Sequence, residues 1–391
     1  MALRSFVVSD GVPRRHLPRR LTVLLPVAGL LVLAGCGLTL LALSTARVGW
    51  VAEAVGVAGA LLPVGPVVAA FLWVDRWEPE PARLLWLAFG WGACVATITA
   101  LLINNTAEAV GDLLLGKGGG DKISAMVSAP LVEEGVKGAF VLGILLFLRE
   151  EFDGVIDGIV YAGLVAAGFA FTENIYYFGR AFAEYGFGDS TSPGVVAAFI
   201  LRGVLSPFTH PLFTVMIGIG IGVAARSATK RARVLAPLLG YLAAVVLHAL
   251  WNTTATIGTA NTFLTVYFLV MVPLFGAVVY FVHWHRKREQ RIVAAGLPAM
   301  VDAGLIVVSE VDLLASMKGR KSWRSRVRAQ SGPHAARAVE DYQSAVSELA
   351  FLRHAMAAGS AGIDAAGREA RLLDVVRQAR RKAVDVARAT R

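Results

Sequence analysis

Cysteine and charge are both scarce in this sequence. Cys36 and Cys94 are the only cysteines, both lie inside apolar runs, and no CxxC spacing occurs. That excludes a disulfide framework and a cysteine zinc finger, and leaves the pair as small buried hydrophobes in different helices. Only 17% of the 391 residues are charged, against 56% hydrophobic. A soluble α/β enzyme needs a more polar surface than this, whereas a multi-pass membrane protein with a polar appendage does not. A cleavable leader is not expected either. The basic start "RRHLPRR" runs into an apolar stretch too long for a signal h-region, so 21–43 reads as an uncleaved first span.

The charge that is present is unevenly placed. From Arg286 onward there are 20 Lys/Arg against 11 Asp/Glu, which is +9 of the total +10. Beside a membrane, a basic helical tail reads as cytoplasmic and in contact with the lipid bilayer; nucleic acid is not an expected partner.

Runs of about 20 apolar residues fall at 21–43, 48–74, 82–103, 123–148, 155–178, 194–225, 234–256 and 262–284. The expected fold is all-α, a polytopic membrane helix bundle of about eight transmembrane helices with a C-terminal helical tail. Its expected parts are a basic N-terminus, 1–20, a membrane domain, 21–284, and a basic tail, 285–391. The sixth run holds Pro207 and Pro211 and is expected to break there. In the tail, "KSWRSRVRAQSGP" reads as a basic linker ahead of helices over 334–357 and 364–390. Lys/Arg alternate in density between successive loops, and the denser side includes both ends. The positive-inside rule therefore predicts cytoplasmic N- and C-termini.

Against this apolar background, four spans keep ionisable groups. The fourth has Glu133, Glu134 and Lys137, and the fifth has Asp157 and Glu173, followed by Asn174; the sixth has Arg202 and His210, and the seventh His248 and Asn252. A charge at the bilayer centre costs about 2.5–3.5 kcal/mol on insertion scales, so such residues are functional candidates by default. Glu133 and Lys137 are i,i+4 and share a helix face, as are His248 and Asn252. Counting from the span ends places Glu133, Glu173 and His248 in the outer half of the bilayer, with His210 compatible. Lys137 reads as the neutralising partner of a glutamate, Arg202 as a partner for a carboxylate or a direct participant, and Asp157 as an interfacial structural group.

Carboxylates with two histidines allow two routes to an activated water. Zinc takes imidazole and carboxylate ligands, and with one position open lowers the pKa of its water to roughly 7. Alternatively a desolvated glutamate is the general base, and the His248/Asn252 pair donates hydrogen bonds to an oxyanion. Spacing does not choose between them.

The same residues carry a family resemblance. "VEEGVK" resembles the EExxK motif of the PrsW intramembrane proteases, "FAFTENIYY" their FxxxE-N motif, and "THPLFT" and "HALWN" their two later histidine motifs. The loop "DRWEPEP", 75–81, is similar to the acidic loop before the family core. The resemblance covers about residues 70 to 256 and extends to the CAAX-processing and bacteriocin-processing proteases, where the second motif usually ends in histidine; here that position is Glu173. It implies an intramembrane peptidase of metallo- or glutamic type, in a bacterial cell membrane. The implied substrate is a membrane-anchored protein, such as an anti-sigma factor, cut on the extracytoplasmic side (site-1 cleavage). The implied catalytic residues are Glu133, Glu134, Glu173, His210, His248 and Asn252, with Lys137, Asn174 and Arg202 in support. Were the reaction zinc-dependent, the ligands expected are Glu173, His210 and His248. The competing reading from another class is an ion- or proton-coupled transporter using the same groups, although no inverted repeat is apparent. A catalytically dead membrane scaffold is the third.

Overall fold

The computed structural model describes residues 21–388 except 78, 153, 189–193, 228 and 360–363. Among the described residues there is no strand, and the chain is a succession of helices. Lipid offers backbone N–H and C=O groups no partners, so a spanning chain must close its hydrogen bonds within each helix. The membrane portion comprises α1 (Leu21–Val48), α2 (Trp50–Val74), α3 (Ala82–Leu115), α4 (119–147), α5 (Val155–Tyr185), α6 (195–205), α7 (Thr209–Arg226), α8 (Lys230–Thr256) and α9 (Ala260–Asp302). Helices α6 and α7 divide the sixth expected run at 206–208, where Pro207 removes a donor, and Pro211 falls in the first turn of α7.

Seven of these runs, with α6 and α7 taken together, are long and apolar enough to cross a bilayer. The eighth expected span is α4, whose Glu133, Glu134 and Lys137 keep its composition from qualifying. The three charges that make it informative are the ones that disguise it.

Helix α5 is the axis of the bundle. From Val155 to Phe169 every residue but Asp157 is buried, and α2, α3 and α7 all pack on it. Glycine makes this close packing possible. A Cβ on Gly92 of α3 would lie 1.8 Å from the carbonyl oxygen of Val165, and one on Gly158 2.1 Å from that of Gly218 on α7. Small residues let helices approach where lipid offers no hydrophobic incentive to associate. By contrast α1 is peripheral, with Leu30, Leu31 and Leu38 all more than 60% exposed. Cys36 and Cys94 are free and only half-buried, not the fully buried pair expected; Cys94 faces Gly37 of α1 across a helix contact.

Four stretches widen into π-helical turns, at Trp91–Ala96 in α3, Ser124–Ser128 in α4, Ile200–Leu205 in α6 and Tyr267–Met271 in α9. An i→i+5 turn displaces carbonyls from regular pairing, and side chains of neighbouring helices use them. Thr172 donates to the carbonyl of Ala93 (2.7 Å), Asn252 to that of Ala125 (2.9 Å), and Tyr267 to that of Leu205 (2.7 Å). The first three stretches border the polar residues described below.

Helix α9 runs without a break through 284/285, where the sequence divides membrane domain from tail. The tail continues as α10 (Val308–Leu314), α11 (Met317–Ala357) and α12 (Ala365–Arg388). The expected linker is helical instead, with Gly332 (φ 80°) and Pro333 forming a bend within α11. The reason is packing: Arg320 and Val327 are buried and Trp323 leans on the same cluster, so the basic stretch is amphipathic. The tail has its own apolar cluster around Leu297, Leu314, Val339, Tyr342 and Leu349, and Trp77 of the 75–81 loop is buried in it.

Candidate active site

The helices bring Glu133, Glu134, Lys137, Glu173, His210 and His248 into one contiguous network. Glu134 and Lys137 on α4 are fully buried, and Glu133 is 6% exposed. Lys137 Nζ donates to Glu134 Oε1 at 2.8 Å, lies 3.5 Å from Glu133 Oε2 and 3.3 Å from His210 Nδ1, and rests 4.0 Å from the centroid of the Phe169 ring. Removing an ion from water costs several kcal/mol even after relaxation, so one ammonium against two carboxylates keeps the cluster tolerable. Lys137 is therefore the counter-ion its spacing suggested.

Each histidine is held at one ring nitrogen by a carboxylate. His248 Nδ1 is 3.0 Å from Glu134 Oε1, whose other oxygen accepts from Thr214 at 2.8 Å. His210 Nε2 is 2.7 Å from Glu173 Oε2, and the same oxygen accepts from Arg202 at 2.5 Å. Arg202 also donates to Asn174 Oδ1 at 2.7 Å, and its guanidinium covers the Tyr177 ring. This accounts for Arg202 and Asn174: they anchor Glu173, which in turn anchors His210. A carboxylate on one nitrogen fixes the tautomer and orients the opposite nitrogen.

Glu133 differs from the other two glutamates. Its Oε1 accepts a 3.4 Å bond from Asn104 Nδ2, while its buried Oε2 has no hydrogen-bond partner. His248 Nε2 is 3.9 Å from that oxygen. One ligand atom from each of Glu133, His210 and His248 falls within 4.8 Å of the others. A carboxylate with two imidazoles is a donor set suited to zinc, and the orphaned oxygen indicates that the set fits a cation. In this group Glu133 accompanies the two histidines, whereas Glu173, the carboxylate of the expected ligand set, is engaged by Arg202 and His210.

Asn252 lines the same cleft but commits one amide proton to Ala125. Asp157 is not part of the cluster; its carboxylate accepts from the Gly154 amide and caps α5, as its interfacial position suggested. Residues missed by sequence reasoning include Asn104, Thr214 and Trp91. Asn104 bridges Glu133 and Ser128, and the Trp91 indole donates to the carbonyl of Val136 at 2.9 Å, bracing α4. The signal for Asn104 was present in "LLINNTAEA", two amides inside an apolar run.

A cleft of about 610 Å³ opens onto the cluster, walled by residues of α1 to α8, with Glu133, Glu173, His210 and Asn252 on its surface. Its size is that of a substrate cleft. A helical membrane protein with a carboxylate-anchored histidine on the wall of an internal cleft, and a second buried behind it, has the build of an intramembrane hydrolase.

Comparison with known proteins agrees. Residues 80–278 match the family described as PrsW family intramembrane metalloprotease. The chain is 29% identical over 200 residues to Protease PrsW of Clostridioides difficile, covering 49% of this chain and 76% of that one. It is 30% identical over 175 residues to Protease PrsW of Geobacillus kaustophilus (45% and 69%) and 28% over 220 residues to that of Bacillus subtilis (56% and 91%). No solved structure matches. The chain belongs to the PrsW family of intramembrane metalloproteases and is an intramembrane peptidase. Nothing in the comparisons supports the transporter alternative.

Proposed function

We propose that the chain hydrolyses a peptide bond in a membrane-anchored protein, by water activation at Glu133 Oε2. The observation that carries this is the orphaned, buried oxygen of Glu133 on the cleft wall, beside two histidines whose far nitrogens are fixed by carboxylates. A zinc ion held by Glu133, His210 and His248 would supply Lewis acidity and an acidified water. The chain's own residues do the rest. Glu134 and Glu173 keep the imidazoles in place, and Lys137 and Arg202 balance the buried negative charge. Water attacks the scissile carbonyl carbon, its proton is received at the Glu133 cluster and passed to the departing amine nitrogen, and the C–N bond breaks. The second amide proton of Asn252 is available to the oxyanion.

A metal-independent, glutamate-base route is the second reading, favoured by Lys137, whose ammonium already lies within 3.5 Å of Glu133, Glu134 and His210. We place the protein in a bacterial cell membrane with cytoplasmic termini, the cleft in the outer half, and an anti-sigma factor as the implied kind of substrate. Glu133→Gln keeps the shape and removes the charge; it is expected to lower cleavage of a membrane-anchored reporter by about 10²–10⁴. Undiminished cleavage by folded Glu133→Gln would refute the mechanism. Metal analysis through chelation separates the routes: zinc and activity lost together support the ligand role, and zinc lost with activity retained supports the base.

A further inference from the structure

Three buried side-chain atoms among the described residues lack a hydrogen-bond partner: Glu133 Oε2, Glu53 Oε1 and Ser44 Oγ. All three residues line the one cleft. Glu133 belongs to the chemistry; the other two do not. Glu53, in the first turn of α2, is 8% exposed, and its second oxygen accepts from Thr45 Oγ1 on α1. An acidic residue in a first turn suits the helix dipole, but that does not explain why a buried carboxylate oxygen stays unpaired, which is costly.

The surroundings indicate what would pair it. Glu108 and Asp121 also line the cleft, and Arg47 interacts with Glu108; the other lining guanidinium, Arg202, is taken up by Glu173 and Asn174. The lining carboxylates, Glu53, Glu108, Asp121, Glu133 and Glu173, outnumber Arg47 and Arg202, which leaves the cleft wall net negative. A metal ion is a poor fit, because the only group of ligand atoms in mutual reach among the described residues is that of Glu133, His210 and His248. The groups offered are acceptors spread over two helix ends, which suits an extended side chain with several N–H donors.

We infer that Ser44 and Glu53 form a specificity subsite that receives a lysine or arginine side chain of the protein substrate, flanking the bond cleaved at Glu133. This rests on the protease reading and deepens it. Ser44, Arg47 and Glu53 precede the residues matched by the family, 80–278, so the subsite is built from parts of the chain outside that match. The α1–α2 junction and the α3–α4 junction share one side of the bundle, which the proposed orientation makes extracytoplasmic. The recognised residue therefore lies just outside the substrate's membrane span.

The test uses the full-length protein in liposomes with three single-span reporters that differ at one extracytoplasmic juxtamembrane position, Lys, Gln or Glu. That position is stepped along the segment. At the best position the wild type is expected to cleave the Lys reporter about tenfold faster than the Gln reporter, the scale of one charge-assisted hydrogen bond, and the Glu reporter slowest. In Glu53→Gln the Lys-to-Gln ratio falls towards one. In Arg47→Gln, an exposed change that removes the competing cation, the ratio rises. Because each ratio is internal to one variant, loss of overall activity does not imitate the effect. Should Glu53→Gln fail to insert, Arg47→Gln decides. A wild-type ratio near one at every position, or a ratio unmoved by the variants, overturns the subsite. Gln-reporter cleavage that Glu133→Gln abolishes would show the protease reading standing even then. Cleavage no greater than that of Glu133→Gln for every reporter overturns the protease reading, and the subsite with it.

Discussion

Removing one charge from the buried network should be worse than removing two. Lys137 is fully buried, 2.8 Å from Glu134 and 3.5 Å from Glu133. Lys137→Met keeps the length of the side chain and its contact with Phe169, but leaves two carboxylates facing each other without their ammonium. Breaking a buried pair on one side typically costs about 3–5 kcal/mol. Combining Lys137→Met with Glu134→Gln removes one charge of each sign. The glutamine carbonyl still accepts from Thr214 or from His248, though not from both, so one buried hydrogen bond is lost. That loss is worth about 1–2 kcal/mol. The double variant is therefore expected to be more stable than Lys137→Met alone by about 2 kcal/mol or more.

The assay is reversible unfolding in mixed micelles, with helicity as the readout, run beside cleavage of a membrane-anchored reporter. Stability and activity should part company. The double variant regains stability but not activity, because Glu134 is the group that fixes His248 Nδ1. Two results would refute the reasoning. If Lys137→Met unfolds with the wild type, the lysine is not the counter-ion of the glutamates. If the double variant recovers cleavage as well as stability, Glu134 does not position His248, and the carboxylate–imidazole pairing is incidental.

Two further predictions concern the side of the bundle where the tail docks. Trp77 is 3% exposed within the tail cluster and lies beneath the Arg320 guanidinium, 4.8 Å away. Trp77→Ala should cost about 3–5 kcal/mol of packing there, seen as faster tryptic cleavage within α11 and α12 while the membrane helices stay protected; an unchanged digestion pattern would contradict it. Burial raises Asp75 from an ordinary 3.8 to about 7, against the opposing effect of the Glu80 amide, which donates to both its oxygens. A folded pKa above the unfolded one means that its contribution to stability is complete below about pH 4 and is lost as pH rises through about 7, by up to about 4 kcal/mol. Asp75→Asn should therefore flatten the fall in unfolding midpoint between pH 5 and pH 8, and an identical pH profile in the variant would overturn this assignment.

Much of the fold was legible because lipid imposes a simple rule. A long apolar run must be a helix, and the described helices fall on the eight expected runs, including the break at 206–208 that Pro207 announces. The tail was less legible. The basic composition of 321–333 suggested a linker, but Arg320 and Val327 gain burial against Tyr342 and its neighbours, and tertiary packing outweighed local character. The π-helical turns were also not readable. In the three beside the site, carbonyls are claimed by Thr172, Asn252 and Tyr267 from other helices, a pairing no local window contains.

The candidate site shows the same division more sharply. One-dimensional spacing is enough to say that Glu133 and Lys137 share a face, and depth counting is enough to say that α4, α5 and α8 bring polar groups to one level. Neither says which carboxylate meets which histidine, because that depends on helix rotation about three separate axes. The structure pairs Glu134 with His248 and Glu173 with His210, and this pairing leaves Glu133 as the odd carboxylate. The role proposed for Glu133 rests on this difference in hydrogen bonding. An oxygen that already accepts from an arginine and an imidazole is poorly placed to receive a proton from water, whereas an orphaned buried oxygen facing a cleft is short of one partner. Glu53 meets the same criterion at the other end of that cleft. An unsatisfied buried acceptor is a cost the folded chain bears until something binds, and these orphaned atoms fit the proposed site, in which Glu133 meets the reacting water and Glu53 a side chain of the substrate.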